Sequence, residues 1–132
     1  MILDATGNCA APLTLDRLYG WHAALFPKGY SGFQRIRTGK LRDDANGPMR
    51  VVSGPLQRQR IHFEAPPAEC LLSEMNHFLD WANNDTAMPL LIKAGVAHLW
   101  FVMLHPFDDG NGRIARAIGD LFLACGVAAT KE

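Results

Sequence analysis

Apolar residues recur at helical spacing in four stretches of the chain. Leu15, Leu18, Trp21, His22 and Leu25 follow the 3.6-residue period from about Leu15 to Leu25, with Thr14 placed to cap the start. Phe26, Pro27, Lys28 and Gly29 end it. A second stripe, Leu71, Leu72, Met75, Phe78, Leu79 and Ala82, opens behind Pro66 and Pro67 at about Ala68 and stops at Asn83 and Asn84. The third segment, Pro89 to Leu104, is apolar nearly all round, with twelve of the fifteen residues from Leu90 to Leu104 apolar. Such a helix is expected at the centre of a bundle, covered on several sides. The fourth carries Ile114, Ala117, Ile118, Leu121 and Phe122 and runs through Ala124. Only Arg50 to Val52 and Arg60 to Phe63, around a turn at Ser53, Gly54 and Pro55, give a strong strand signal. Residues 1 to 13 read as irregular. The fold class expected is therefore an all-α bundle carrying one small β-hairpin, in a single domain over residues 1 to 132.

The 132 residues and 14.5 kDa give a folded surface of about 6,900 Å², which buries roughly two thirds of the extended chain. Thirteen Lys plus Arg balance thirteen Asp plus Glu, so long-range steering toward nucleic acid or an anionic membrane is not expected. The basic scatter between Gly29 and Gly47, at Arg35, Arg37, Lys40 and Arg42, can be read as a nucleic-acid patch, but Asp43, Asp44 and the neutral total favour a solvated loop. Cys9, Cys70 and Cys125 have no metal-type spacing and read as reduced thiols of a cytoplasmic protein. The segment from Leu90 to Leu104 is too short for a membrane span, and the N-terminus has no signal-peptide pattern.

Between the last two helices lies His105-Pro106-Phe107-Asp108-Asp109-Gly110-Asn111-Gly112-Arg113. Gly110, Asn111 and Gly112 at a helix start permit a sharp turn that aims unpaired N–H groups at an anion, where the helix dipole adds roughly half a positive charge. Arg113 and Arg116 follow on the polar face with Asp120, and their planar guanidinium groups match phosphoryl oxygens. Asp109 would repel a bare anion. Its position makes sense with Mg²⁺ held between the carboxylate and two phosphates. Imidazoles exchange protons near neutral pH, so His105 can accept one from a hydroxyl that attacks phosphorus. Phe107 reads as a peg that buries its ring and anchors the loop.

The bland alternatives are a common Asp-Gly-Asn turn and a histidine used for packing or capping. Calcium binding is disfavoured because Arg113 and Ile114 interrupt the alternating oxygen ligands of a 12-residue loop. A P-loop is disfavoured because no Lys-Ser or Lys-Thr closes the turn and no strand feeds it. The density of different chemical roles within twelve residues favours a nucleotide site.

The stretch HPFDDGNGRIAR, His105 to Arg116, resembles the signature of the Fic domain family, HPFx(D/E)GNGRxxR, at every defined position. Leu13 to Gly32, Met49 to Pro55, His62 to Ala68, Glu74 to Trp81 and Lys93 to Val102 are also similar to family core segments. The resemblance implies a Fic-like helical bundle that transfers AMP from ATP to a Ser, Thr or Tyr hydroxyl of a target protein and releases pyrophosphate. It implies His105 as general base, Asp109 as Mg²⁺ ligand, and Gly110, Asn111 and Gly112 as the anion-hole segment. Arg113 would contact the β-phosphate and Arg116 the γ-phosphate. The hairpin, with Val51, Val52 and Ser53, would be the flap that holds the target by main-chain pairing.

Family members are commonly restrained by a helix bearing (S/T)xxxE(G/N), whose Glu pairs with the residue matched here by Arg116. No Ser or Thr in this chain has a Glu four residues on: Ser31 leads to Arg35, Ser53 to Gln57 and Ser73 to His77. The resemblance therefore implies a core cut at both ends, with the inhibitory helix supplied in trans or in a longer chain. Alternatives within the same resemblance are another donor, removal of AMP, or a nucleotide-binding remnant that acts as an interaction module. Neither nucleic acid nor membrane is an expected partner.

Overall fold

The computed structural model describes residues 1–54, 58 and 60–130, with backbone alone at 51, 52, 61, 62 and 130. Pro55 of the expected turn lies outside the described residues. Helix α1 spans Ile2–Gly7, α2 Leu15–Leu25, α3 Ala68–Asn84, α4 Leu90–Leu104 and α5 Asn111–Thr130. Strands β3, Arg50–Ser53, and β4, Arg60–Glu64, form the expected antiparallel hairpin, with a register shift between Val51 and Val52. A smaller pair, β1 (Tyr30–Ser31) and β2 (Gln34–Arg35), precedes it.

The core is built where the periodic stripes meet. Phe78 of α3, Phe101 of α4 and Ile114 and Ile118 of α5 are all fully buried, and α4 packs most extensively on α5. Thr14 caps α2 by accepting the Arg17 N–H at 3.1 Å. Asn83 clasps both backbone groups of Leu13 at 2.8 Å, which joins the end of α3 to the start of α2. No helix among the described residues is long and apolar enough to cross a membrane.

Four features depart from the sequence reading. Residues 1 to 13 are not wholly irregular, because α1 forms at Ile2–Gly7. A helix of that length is not self-sustaining in water. Tertiary contacts hold it: Arg17 donates to the Asp4 carboxylate at 2.7 Å and to the Asp4 and Asn8 carbonyls, and Trp21 Nε1–H donates to the same carboxylate at 2.8 Å. These donors lower the Asp4 pKa to about 2, with the Arg17 bond the largest cause. Because the folded value lies below the unfolded one, this stabilisation is complete above about pH 4 and disappears as pH falls toward about 2. Thermal unfolding followed across that window should show a shallower decline for Asp4→Asn than for the parent chain, and parallel curves would count against the anchoring role.

Second, the stretch from residue 29 to 47 is more than a solvated loop. Gly32, at φ 60°, supplies the turn between β1 and β2, and Arg42 is 3% exposed. A two-residue strand leaves no period to detect. Third, α4 is not covered all round: Leu91, Ile92, Leu99 and Met103 are exposed, and the total surface of 8316 Å² exceeds the expected area. Finally, α5 continues six residues beyond Ala124, to Thr130.

Candidate active site

The loop after α4 begins with an unusual backbone. His105 closes α4 in the left-handed region, at φ 48° and ψ 56°, and its N–H donates to the Phe101 carbonyl. Glycine is the ordinary residue there, because a Cβ in this conformation costs about 1–2 kcal/mol. The conformation turns the imidazole back over the last turn, where Nδ1 lies 3.0 Å from the Val102 carbonyl oxygen. A carbonyl only accepts, so Nδ1 carries a proton, and in the neutral ring the lone pair is on Nε2. That is the tautomer a general base needs.

The next residues are packed down. Phe107 is fully buried and stacks on His22, with ring centroids 4.3 Å apart and planes 14° from parallel. Asn111 turns its side chain inward, accepting from the Phe107 N–H at 2.9 Å and donating to the Phe107 carbonyl at 2.8 Å. Its amide therefore shapes the loop, and what it offers to a ligand is its backbone. His22, also fully buried, accepts from Gly39 N–H at Nδ1, 3.0 Å away. Its Nε2–H then donates to the Asp109 carbonyl at 3.1 Å. Burial lowers the His22 pKa, which keeps this neutral tautomer. In the sequence His22 is one more member of an apolar stripe, and no local signal marks its reach to residues 39 and 109.

Gly110 is the pivot between loop and helix. Its φ is +80°, and a Cβ there would lie 2.9 Å from the Phe26 ring. Gly110→Ala should therefore destabilise the chain by about 1–2 kcal/mol from the backbone alone, with the Phe26 contact adding to it. Chemical denaturation will measure this, and an unchanged midpoint would show that the loop tolerates another conformation.

Helix α5 starts immediately behind Gly110, and its first bond within the helix runs from the Ile114 N–H to the Gly110 carbonyl at 3.1 Å. The N–H groups of Asn111, Gly112 and Arg113 have no acceptor among the described residues. The Gly110 N–H, by contrast, is taken by Asp109 Oδ1 at 2.7 Å. The open donors thus sit one residue later than the Gly110 to Gly112 segment expected from the sequence. The Arg113 guanidinium lies 5.0 Å above the Phe26 ring. Arg116 lines a groove between α4 and α5 with Leu91, His98 and Asp120.

Asp109 is half-buried beside these donors. The Ser31 hydroxyl donates to its Oδ2, and this bond, ahead of the Gly110 N–H and the Arg113 charge, holds the carboxyl pKa below the usual range. The carboxylate is therefore ionised at neutral pH, and each oxygen retains lone-pair capacity. Among the described residues no group of three His, Cys, Asp or Glu can hold a metal unaided. One ionised carboxylate beside an anion site is instead the donor set that Mg²⁺ shares with phosphates, and these residues fit that ion. Asp108 lines the same cleft as Asp109, and its Oδ2 accepts the Arg37 N–H at 2.8 Å.

The hairpin of β3 and β4 stands beside His105. Phe63 and Met49 border a small cleft with the imidazole, while β3 pairs with β4 through Arg50 opposite Glu64 and Val51 opposite Phe63. The sheet is two-stranded among the described residues, so β3 has β4 as a neighbour on one side and its Val51 and Val52 backbone on the other side faces no further strand.

A family model described as the Fic/DOC family matches residues 12–123, a span that includes α4, the loop and α5 as far as Leu123. The chain belongs to the Fic/DOC family. Among curated proteins, the uridine 5′-monophosphate transferase of Xanthomonas campestris is 32% identical over 126 residues, covering 83% of this chain and 20% of that protein. The protein adenylyltransferase fic-1 of Caenorhabditis elegans is 33% identical over 78 residues, covering 55% and 15%. The chain thus spans about a fifth or less of these relatives. A Fic domain containing signaling protein from Bacteroides thetaiotaomicron has the same fold at TM-score 0.74 and 23% identity, over 93% of this chain and 42% of that one. A Fic family protein from Desulfovibrio desulfuricans aligns at TM-score 0.70 and 26% identity, over 97% and 35%. The curated Fic relatives are nucleotidyl transferases, and the helical architecture is shared with the solved Fic structures.

Proposed function

We propose that this chain is the core of a protein adenylyltransferase, which transfers AMP from ATP to a Ser, Thr or Tyr hydroxyl of a target protein. The observation that carries the reading is the His105 Nε2 lone pair on the same short loop as the open N–H groups of Asn111, Gly112 and Arg113. The target hydroxyl oxygen attacks the α-phosphorus as Nε2 accepts its proton. The bond from the α-phosphorus to the bridging oxygen breaks, and pyrophosphate leaves with that electron pair. The helix N-terminus and Arg113 hold the developing negative charge, and Arg116 receives the far phosphate. Asp109 would hold Mg²⁺, which would supply neutralisation of phosphate charge there. Target backbone pairs along the β3 edge at Val51 to Ser53, which accepts many side-chain sequences. A Glu-bearing inhibitory helix, in trans or in a longer chain, would compete for Arg116.

A second donor has specific support, because the relative aligned over 83% of the chain transfers uridine 5′-monophosphate. Purified chain incubated with Mg²⁺, lysate and α-labelled ATP or α-labelled UTP will separate the two, with γ-labelled ATP as the kinase control. Label from α-ATP alone supports AMP transfer, and label from α-UTP alone assigns the other base. Nucleotide binding without transfer of any label would leave a binding remnant as the better reading.

A further inference from the structure

Arg42 comes from a stretch whose basic residues suggested only a solvated loop, yet its guanidinium is almost wholly enclosed, at 1% side-chain exposure. What it touches is specific. Its Nε–H donates to the His105 carbonyl at 2.6 Å, one Nη2–H reaches the Leu104 carbonyl at 3.2 Å, and its own backbone N–H donates to the Pro106 carbonyl at 2.8 Å. One residue therefore holds three consecutive carbonyls, those on either side of the His105 backbone and its own. Nη2 also donates to the Pro66 carbonyl at 2.6 Å, two residues past the end of β4. Nη1 pairs with Asp44 Oδ1 at 2.6 Å, and Asp44 Oδ2 accepts the Ala68 N–H at 2.9 Å, at the start of α3.

We propose that Arg42 is a positioning residue for the reaction: it imposes the left-handed His105 backbone that presents Nε2 and ties that backbone to the foot of the hairpin that would bring the hydroxyl. The inference rests on the role of His105 proposed above. Physical reasoning supports it at three points. A non-glycine residue in the left-handed region persists only where its surroundings over-determine it, and such residues concentrate at functional sites. A simple helix end would be closed more cheaply by glycine. The planar fork of arginine supplies several fixed donor directions at once, which the three-donor ammonium of lysine on a flexible stem does not reproduce. The same fork joins the base to the end of β4, so the distance between proton acceptor and docked hydroxyl is governed by one buried side chain. Asp44 neutralises the charge and keeps the fork from rotating.

The test uses Arg42→Lys, which retains the charge but not the fork, and Asp44→Asn as the gentler perturbation. Long-range ¹H–¹⁵N correlation spectra at alkaline pH, where imidazoles are neutral, identify the His105 tautomer without any turnover. The parent chain should show Nδ1–H, and Arg42→Lys should move His105 toward the mixed tautomers of a free imidazole. Isothermal titration with ATP and Mg²⁺ should stay within about twofold, because the Asn111 to Arg113 donors do not depend on Arg42. AMP release from ATP to water should fall by at least tenfold, and a displacement of about 1 Å is enough for up to about 10²-fold. A parent chain that shows the Nδ1–H tautomer but releases no AMP would count against the transferase reading and leave the positioning result standing. If Arg42→Lys fails to fold, Asp44→Asn decides by the same spectrum. An unchanged His105 tautomer in every folded variant overturns the proposal, as does loss of ATP affinity and melting temperature in parallel with the rate.

Discussion

Replacing His105 with alanine should abolish label transfer while leaving the nucleotide bound. Loss of a general base lowers a rate by about 10²- to 10⁴-fold. On the proposed reading the phosphates would be met by backbone N–H groups of Asn111, Gly112 and Arg113, none of which depends on the imidazole. The imidazole's bond to the Val102 carbonyl contributes about 0.5–1.5 kcal/mol, so the melting temperature should fall by only a few degrees. ATP titration by calorimetry should thus give an affinity within a few-fold of the parent. Simultaneous loss of ATP binding and of the folded state would reassign His105 to packing, and the AMP-transfer reading would lose its base.

The legible parts of this chain are those in which the determinant is local. The stripes of α2, α3 and α5 are written in the 3.6 period, and Thr14 and the Asn83-Asn84 pair mark boundaries the helices respect. The loop after His105 and the helix start behind it are legible for the same reason, since Gly110 turns the chain immediately before the apolar period of α5 begins. What escaped was made by contacts distant in sequence. Helix α1 exists because Arg17 and Trp21, a dozen or more residues later, fold onto Asp4. His22 looked like a core residue because its stripe is apolar, and only the tertiary structure brings Gly39 and Asp109 to its two nitrogens. Arg42 was indistinguishable from neighbours such as Arg35 and Lys40, which are exposed. Periodicity also overstated α4: it reports that a helix is apolar all round, not that something within the same chain covers it.

Phe107→Ala should behave in the opposite way to His105→Ala, with stability and ligand binding falling together. The ring is fully buried against His22, Tyr19 and Phe101, and removing such a side chain costs about 3–5 kcal/mol. That is about a fifth or more of the stability a domain of this size ordinarily has. The loss is not confined to the core. Asn111 holds its position by bonding to both backbone groups of residue 107, and His22, stacked on the ring, holds the Asp109 carbonyl. A slack residue 107 therefore loosens the first turn of α5 and Asp109 at once, and the N–H groups lose the alignment that an anion needs. Phe107→Leu retains most of the volume and should lie between the parent and Phe107→Ala. Melting curves and ATP titrations on the three chains should rank them in the same order, with affinity following stability. If Phe107→Ala melts like the parent, or melts early yet binds ATP as tightly, the loop is held by its hydrogen bonds alone and the ring is not its anchor.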